Sequence, residues 1–236
     1  MGKLSLKTII HIGQHKTGTT SIQHYLQSHR STLADSGLYV PDVLLGYGNP
    51  SHFLLNVYAL DEERDSTAKI MLKETVEEDF FNTLPDLLRT DIRRHYQLAN
   101  GSGCEEILWT NEGLYLLNSL EEYKRLRQLF EGFSDEIICV CCLRDRDSYR
   151  ESFKVQLAGL GLPLSENKDS YRYLEDDSWL FDYDRKIQLL AQVFDEVMIM
   201  PYDPADMVMT FMEKIGYKAE GDTASLRLNT TQTTGN

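Results

Sequence analysis

Lys16, Thr17, Thr19, Thr20 and Ser21 place one cation and four hydroxyl donors in a short stretch broken only by Gly18. Such a density of donors suits an anion. The longer segment, His11-Ile12-Gly13-Gln14-His15-Lys16-Thr17-Gly18-Thr19-Thr20-Ser21, follows an apolar run and precedes a helical pattern. Glycines there let the backbone turn sharply, and a helix start offers backbone N–H groups that have no partner within the helix. A phosphate or similar group is the expected occupant. Against the standard nucleotide-binding loop G-x-x-x-x-G-K-[ST], Gly13 and Gly18 keep the glycine spacing and Thr20 keeps the hydroxyl. Thr19, however, stands at the lysine position, and the lysine has moved to Lys16. His15 is expected to line this loop. His11, His24 and His29 lie nearby, but strand alternation and a five-residue helical step do not converge them on one metal ion.

The elements needed to position the loop follow from periodicity. Lys7 to Ile12 reads as a strand and Thr17 to Ala34 as a helix with Ile22, Leu26 and Leu33 on one side. Leu38-Tyr39-Val40 reads as a second strand, and Ser51 as the N-cap of a helix carrying His52 to Leu55. Residues Thr75 to Leu98 look helical with an interruption near Pro85, and a strand runs from Glu105 to Thr110. Helix Leu120 to Phe130, the apolar strand Glu136 to Leu143 and helix Asp145 to Leu160 come next. Helix Leu180 to Phe194, strand Val197 to Met200 and helix Pro204 to Ile215 complete the alternation. The expectation is an α/β fold with one parallel sheet flanked by helices on both faces, and the strand Glu136 to Leu143 near its centre. Residues 1–217 form the single domain, and 218–236 are expected to be a polar, flexible tail.

Composition narrows the partners. Among 236 residues, 24 Lys and Arg face 37 Asp and Glu, a formal charge of −13, so nucleic acid is not an expected ligand. The longest purely apolar run, Ile137 to Leu143, is far short of the roughly 20 residues a membrane helix requires. No membrane span and no export signal are read from the sequence, and the expected location is the cytoplasm. Cys104, Cys139, Cys141 and Cys142 read as buried thiols rather than as bridges or zinc ligands. Arg89, Arg93 and Arg94 read as a solvated helix face more than as an acceptor groove.

The residues Lys16-Thr17-Gly18-Thr19-Thr20-Ser21 resemble the 5′-phosphosulfate loop of sulfotransferases, above all the bacterial and heparan sulfate types, which use 3′-phosphoadenosine 5′-phosphosulfate (PAPS). The resemblance implies a second signature, an Arg ending a later strand and a Ser eight positions on, both holding the donor's 3′-phosphate; Arg144 and Ser152 match it. Asp145-Arg146 follows where the family often has Asn-Pro or Asp-Pro. The implied donor contacts are therefore His15, Lys16, Thr17, Gly18, Thr19, Thr20, Ser21, Arg144 and Ser152. The implied reaction moves a sulfuryl group to an acceptor hydroxyl, plausibly of a carbohydrate or glycolipid, and leaves 3′-phosphoadenosine 5′-phosphate (PAP). It requires no metal. Lys16 would neutralise charge growing on the leaving phosphate. The family uses His or Glu as general base, and two residues compete for that role. His52 occupies the segment where heparan-type relatives carry their glutamate and is preferred; Glu112, at the C-terminal end of a strand, is the second choice.

Two other readings use the same loop. A nucleotide kinase or NTPase would require ATP with Mg²⁺, and a noncatalytic nucleotide-binding protein would keep the cradle without a working base. The acceptor is a small molecule or a glycan in the leading reading, and the sequence says nothing of oligomeric state.

Overall fold

The computed structural model describes residues 6–47, 50–77, 79–221 and 223–226. In chain order the elements are β1 (Leu6–His11), α1 (Thr19–Ser28), α2 (Arg30–Asp35), β2 (Leu38–Tyr39), α3 (Leu54–Ala59), α4 (Thr67–Lys73) and α5 (Phe80–Gly101). There follow β3 (Glu106–Thr110), α6 (Leu120–Gln128), β4 (Ser134–Leu143), α7 (Arg146–Gly159), α8 (Tyr183–Ala191), β5 (Glu196–Pro201) and α9 (Met207–Lys214). The five strands pair in parallel in the order β2-β3-β1-β4-β5. The centre is therefore β1, not the more apolar β4, which lies between β1 and β5. Chain direction across the sheet reverses at β1, which puts a crevice outside its carboxyl end, where open α/β sheets bind ligands.

Alternation along the strands divides the core. Ile9, Leu108, Val140 and Cys142 face one layer with Ile22 and Leu26 of α1 and Val208 and Phe211 of α9. Ile10, Trp109, Ile137, Cys139 and Cys141 face the other, which contains Leu88 and Ile92 of α5, Leu126 of α6, Tyr149 and Phe153 of α7, and Leu190 of α8. All four cysteines are free and buried.

Several local expectations change. The first helix begins two residues later than its pattern suggests, because Lys16 (φ 62°) and Gly18 (φ 76°) adopt left-handed backbone. It also ends at Ser28. The carbonyl of Tyr25 accepts from both the backbone N–H and Nδ1 of His29, each at 3.0 Å, and the two rings stack. Pro85 does not interrupt α5, which runs from Phe80 to Gly101. Proline removes only one hydrogen bond near the helix start, and buried Leu84, Leu88 and Ile92 hold the helix to the sheet. Ser51 caps no helix: its Oγ accepts from Asn111 Nδ2 at 2.6 Å, and α3 begins at Leu54. Helix α4, capped by the Ser66 side chain accepting from Lys69 N, had no sequence forecast.

The described part of the C-terminal segment is docked on the body. The N–H of Glu220 donates to Tyr25 OH at 2.8 Å, and Thr223 Oγ1 donates to Asp206 Oδ2 at 2.5 Å. The remainder of the forecast tail, residues 222 and 227–236, lies outside the described residues.

Candidate active site

The β1–α1 loop is knitted to β4 before it reaches the helix. Ile12 N donates to Val140 O, Gln14 N to Cys142 O and Cys142 N to Gly13 O, at 3.0, 3.0 and 2.7 Å. These bonds carry the strand ladder past the end of β1 and fix where the following residues can point. Thr17 Oγ1 donates back to Gln14 O at 2.6 Å, so this buried hydroxyl closes the loop on itself instead of facing outward. Gly18 is the N-cap of α1 and supplies no side-chain acceptor, so no side chain caps the first turn at the loop's mouth.

The loop opens on a cleft of about 480 Å³ lined by His15, Lys16, Gly18, Thr19, Thr20 and Ser21 together with Glu112, Arg144 and Ser152. Thus the structure brings together residues from three segments distant in sequence, and the only forecast site residues absent from the lining are Thr17 and His52. Arg144, at the end of β4, donates through Nη1 to the Lys16 carbonyl at 3.0 Å, although the two residues are 128 positions apart. Its Nε donates to Ser148 Oγ at 2.6 Å and its backbone N–H to Gln14 Oε1 at 3.0 Å. The guanidinium also stacks over Tyr202, 4.9 Å from the ring centre. Partial burial and the neighbouring Arg144 charge both push the Lys16 pKa down. Two cations held this close create a positive focus in an acidic protein, which an anion would relieve.

Glu112 begins a 3-10 turn, Glu112–Leu116, directly after β3. That turn is fastened from several sides. Asn56 Nδ2 of α3 donates to Gly113 O at 2.7 Å, and the buried Lys186 Nζ of α8 donates to Tyr115 O and Leu117 O at 3.0 and 2.5 Å. Burial lowers the pKa of Lys186 to about 7. The turn also presses on the loop: a Cβ at Gly13 would lie 2.9 Å from Glu112 Cα, so only glycine fits there. The carboxylate itself accepts from Gln23 Nε2 of α1 at 2.6 Å through Oε2. One carboxylate, a lysine and a helix start therefore border a single cavity, an arrangement that can hold an anion beside a proton acceptor.

His52 does not stand in this cleft. Its side chain is 1% exposed, its Nδ1 accepts from Thr110 N at 3.0 Å, and its Nε2–H donates to Pro41 O at 3.2 Å. Both ring nitrogens are engaged by backbone, and burial lowers its pKa to about 4. The preference for His52 over Glu112 as the base is therefore corrected: no ring nitrogen remains to take an acceptor proton. The group acts as a brace between the chain after β2 and the end of β3. His11 is likewise interior, with Nδ1 bonded to Thr110 Oγ1 at 2.9 Å and a pKa lowered to about 3 by burial.

Further cleft residues had no forecast. Gln156 lies one turn beyond Ser152 on α7, and Tyr202 to Asp206, between β5 and α9, add to the lining with Met207 and Val208 at the start of α9, Thr223 and Leu226. A helical repeat of four from Ser152 points to Gln156, but nothing local marks the β5–α9 connection as part of a site. Gln23, which bonds Glu112, is a buried polar residue of α1 and carries no signal by itself. Arg89, Arg93 and Arg94 are not part of the lining; Arg94 pairs with Asp91 on its own helix.

Among solved structures the chain is similar to a sulfotransferase from Alicyclobacillus acidocaldarius. The two share 15% sequence identity with a TM-score of 0.55, over 97% of this chain and 87% of that one. It is also similar to the sulfotransferase domain from the curacin biosynthetic pathway, at 13% identity and a TM-score of 0.51, over 99% of this chain and 82% of that one. No family model matches the sequence, and no curated protein matches it. The chain has the sulfotransferase fold.

Proposed function

We propose that this chain is a PAPS-dependent sulfotransferase that moves a sulfuryl group to an acceptor hydroxyl, with a carbohydrate or glycolipid as the acceptor class. The observation that carries the reading is the convergence of the loop Lys16 to Ser21 with Arg144 and Ser152 on one cleft. A polar helix start alone would not gather a second anion site from the far end of β4. In this reading the 5′-phosphate rests on the α1 N-terminus beside Lys16, and the 3′-phosphate is held by Arg144 and Ser152.

The chain's own groups then divide the work. Positioning and charge stabilisation supply most of the rate in such transfers, with attacking and leaving oxygens in line. Lys16 offsets charge on the departing phosphate oxygen, assisted by the helix start. Glu112, steadied by Gln23, takes the acceptor proton. The acceptor's oxygen forms its bond to sulfur as the sulfur–oxygen bond to the 5′-phosphate breaks, and the bonding pair stays with PAP.

Calorimetry with PAP in the absence of metal, beside ATP with Mg²⁺, tests the reading on the wild-type and Arg144→Ala proteins. PAP is expected to bind in preference to ATP, and loss of the guanidinium to weaken it by roughly tenfold or more, the size of a charge-assisted contact. Preference for Mg-ATP, or indifference to Arg144, would point to a kinase or a lapsed site.

A further inference from the structure

His15 shares the cleft with Lys16, Glu112, Arg144 and Ser152. It lines the cleft, is 9% exposed, and its ring lies 5.2 Å from that of Phe153, the neighbour of Ser152 on α7. The charged groups that face it are Glu112 from the turn after β3 and Lys16 beside it on the loop. His15 lines the same cleft as the α1 N-terminus and Glu112, so a group attached to a loop-bound phosphate would share that cavity with its ring.

Its hydrogen bonding is incomplete. Nδ1 is buried with no partner. An orphaned N–H is the costlier of the two ways to leave that atom unpaired, so the ring proton belongs on Nε2. Burial holds the ring below its usual pKa; Glu112 opposes this and Lys16 adds to it. The uncharged ring serves the site in one further way: an imidazolium would draw the Glu112 carboxylate into an ion pair and remove it as a proton acceptor.

We infer that His15 is the residue that recognises the transferable sulfuryl group, donating from Nε2–H to a sulfuryl oxygen between Lys16 and Glu112, so that the cleft distinguishes loaded PAPS from spent PAP. The inference rests on the sulfotransferase reading and narrows His15 from a donor contact in general to the sulfuryl group in particular.

The test compares PAPS with PAP, which differ only in the sulfuryl group, by calorimetry at low temperature on wild type, His15→Leu and His15→Gln. Wild type is expected to favour PAPS. His15→Leu should lose about tenfold in PAPS affinity with PAP affinity held within about twofold, and His15→Gln, which keeps an N–H donor, should recover part of the loss. A second readout uses folded wild type alone: the ¹⁵N resonances of the His15 ring should move on adding PAPS and much less on adding PAP. Equal changes for PAPS and PAP, or none, would overturn the role of His15 while leaving the donor site standing. If wild type binds neither compound, the sulfotransferase reading itself fails.

Discussion

Gly13→Ala probes the contact that joins the anion loop to the turn carrying Glu112. Gly13 has φ +96° and Gly37 has φ +93°, so alanine at either position adopts the same unfavourable left-handed backbone, which costs an L-residue roughly 1–2 kcal/mol. Their surroundings differ. At Gly37 nothing lies within 4 Å of an added Cβ, whereas at Gly13 the Cβ would meet Glu112 Cα at 2.9 Å and Glu112 O at 3.1 Å. Restoring ordinary contact requires the loop and the turn to part by about half an ångström, and overpacking of this kind adds roughly 1–3 kcal/mol. The turn cannot yield freely, because Asn56 and Lys186 anchor it from α3 and α8. In urea titrations both variants are therefore expected to lose stability, with Gly13→Ala about 1–3 kcal/mol below Gly37→Ala. PAP affinity should fall several-fold in Gly13→Ala alone. Equal destabilisation of the two variants, with equal PAP affinity, would refute the claim that close backbone approach aligns the loop with Glu112.

Two further outcomes follow from the buried histidines. His52→Ala removes both the acceptor of Thr110 N and the donor to Pro41 O, leaving two interior backbone groups unpaired. It should lower stability by about 2–5 kcal/mol while PAP binding at low temperature stays within about twofold, and a variant as stable as wild type would contradict the bracing role. His11 and His52 have folded pKa values near 3 and 4, below the 6.5 of an exposed imidazole, so the unfolded chain binds protons the native state refuses. Their contribution to stability is complete above pH 6.5 and is lost as pH falls towards 4 and then 3. Each adds a slope approaching 1.4 kcal/mol per pH unit in that window. The urea midpoint should decline from about pH 6 downward, with a shallower decline in His52→Gln; the same slope in both proteins between pH 6 and 5 would disprove the assignment.

Arg144 and Ser152 were paired by the sulfotransferase resemblance, whereas the sequence by itself determined the loop and the alternation of strands and helices. These are local facts. Donors separated by one to five residues at a strand-to-helix turn must share a neighbourhood. The parallel sheet is equally local in origin, since successive apolar strands joined by amphipathic helices have few ways to bury both faces.

Tertiary structure alone decided which of two candidate bases reaches the cleft. His52 and Glu112 both follow strands, and the resemblance put His52 first by the segment it occupies, without regard to what packs against it. What separates them is the bond from Thr110 N to the His52 ring, across 58 positions, and that from Gln23 to Glu112, across 89. The first buries an imidazole among backbone groups, and the second turns a carboxylate toward the anion loop. The same holds for the wall formed by the β5–α9 connection, and for Lys186, whose buried Nζ fastens the Glu112 turn. Burial and long-range hydrogen bonding arise only when distant segments pack, so residue type and spacing identify what could react, and packing decides what can be reached.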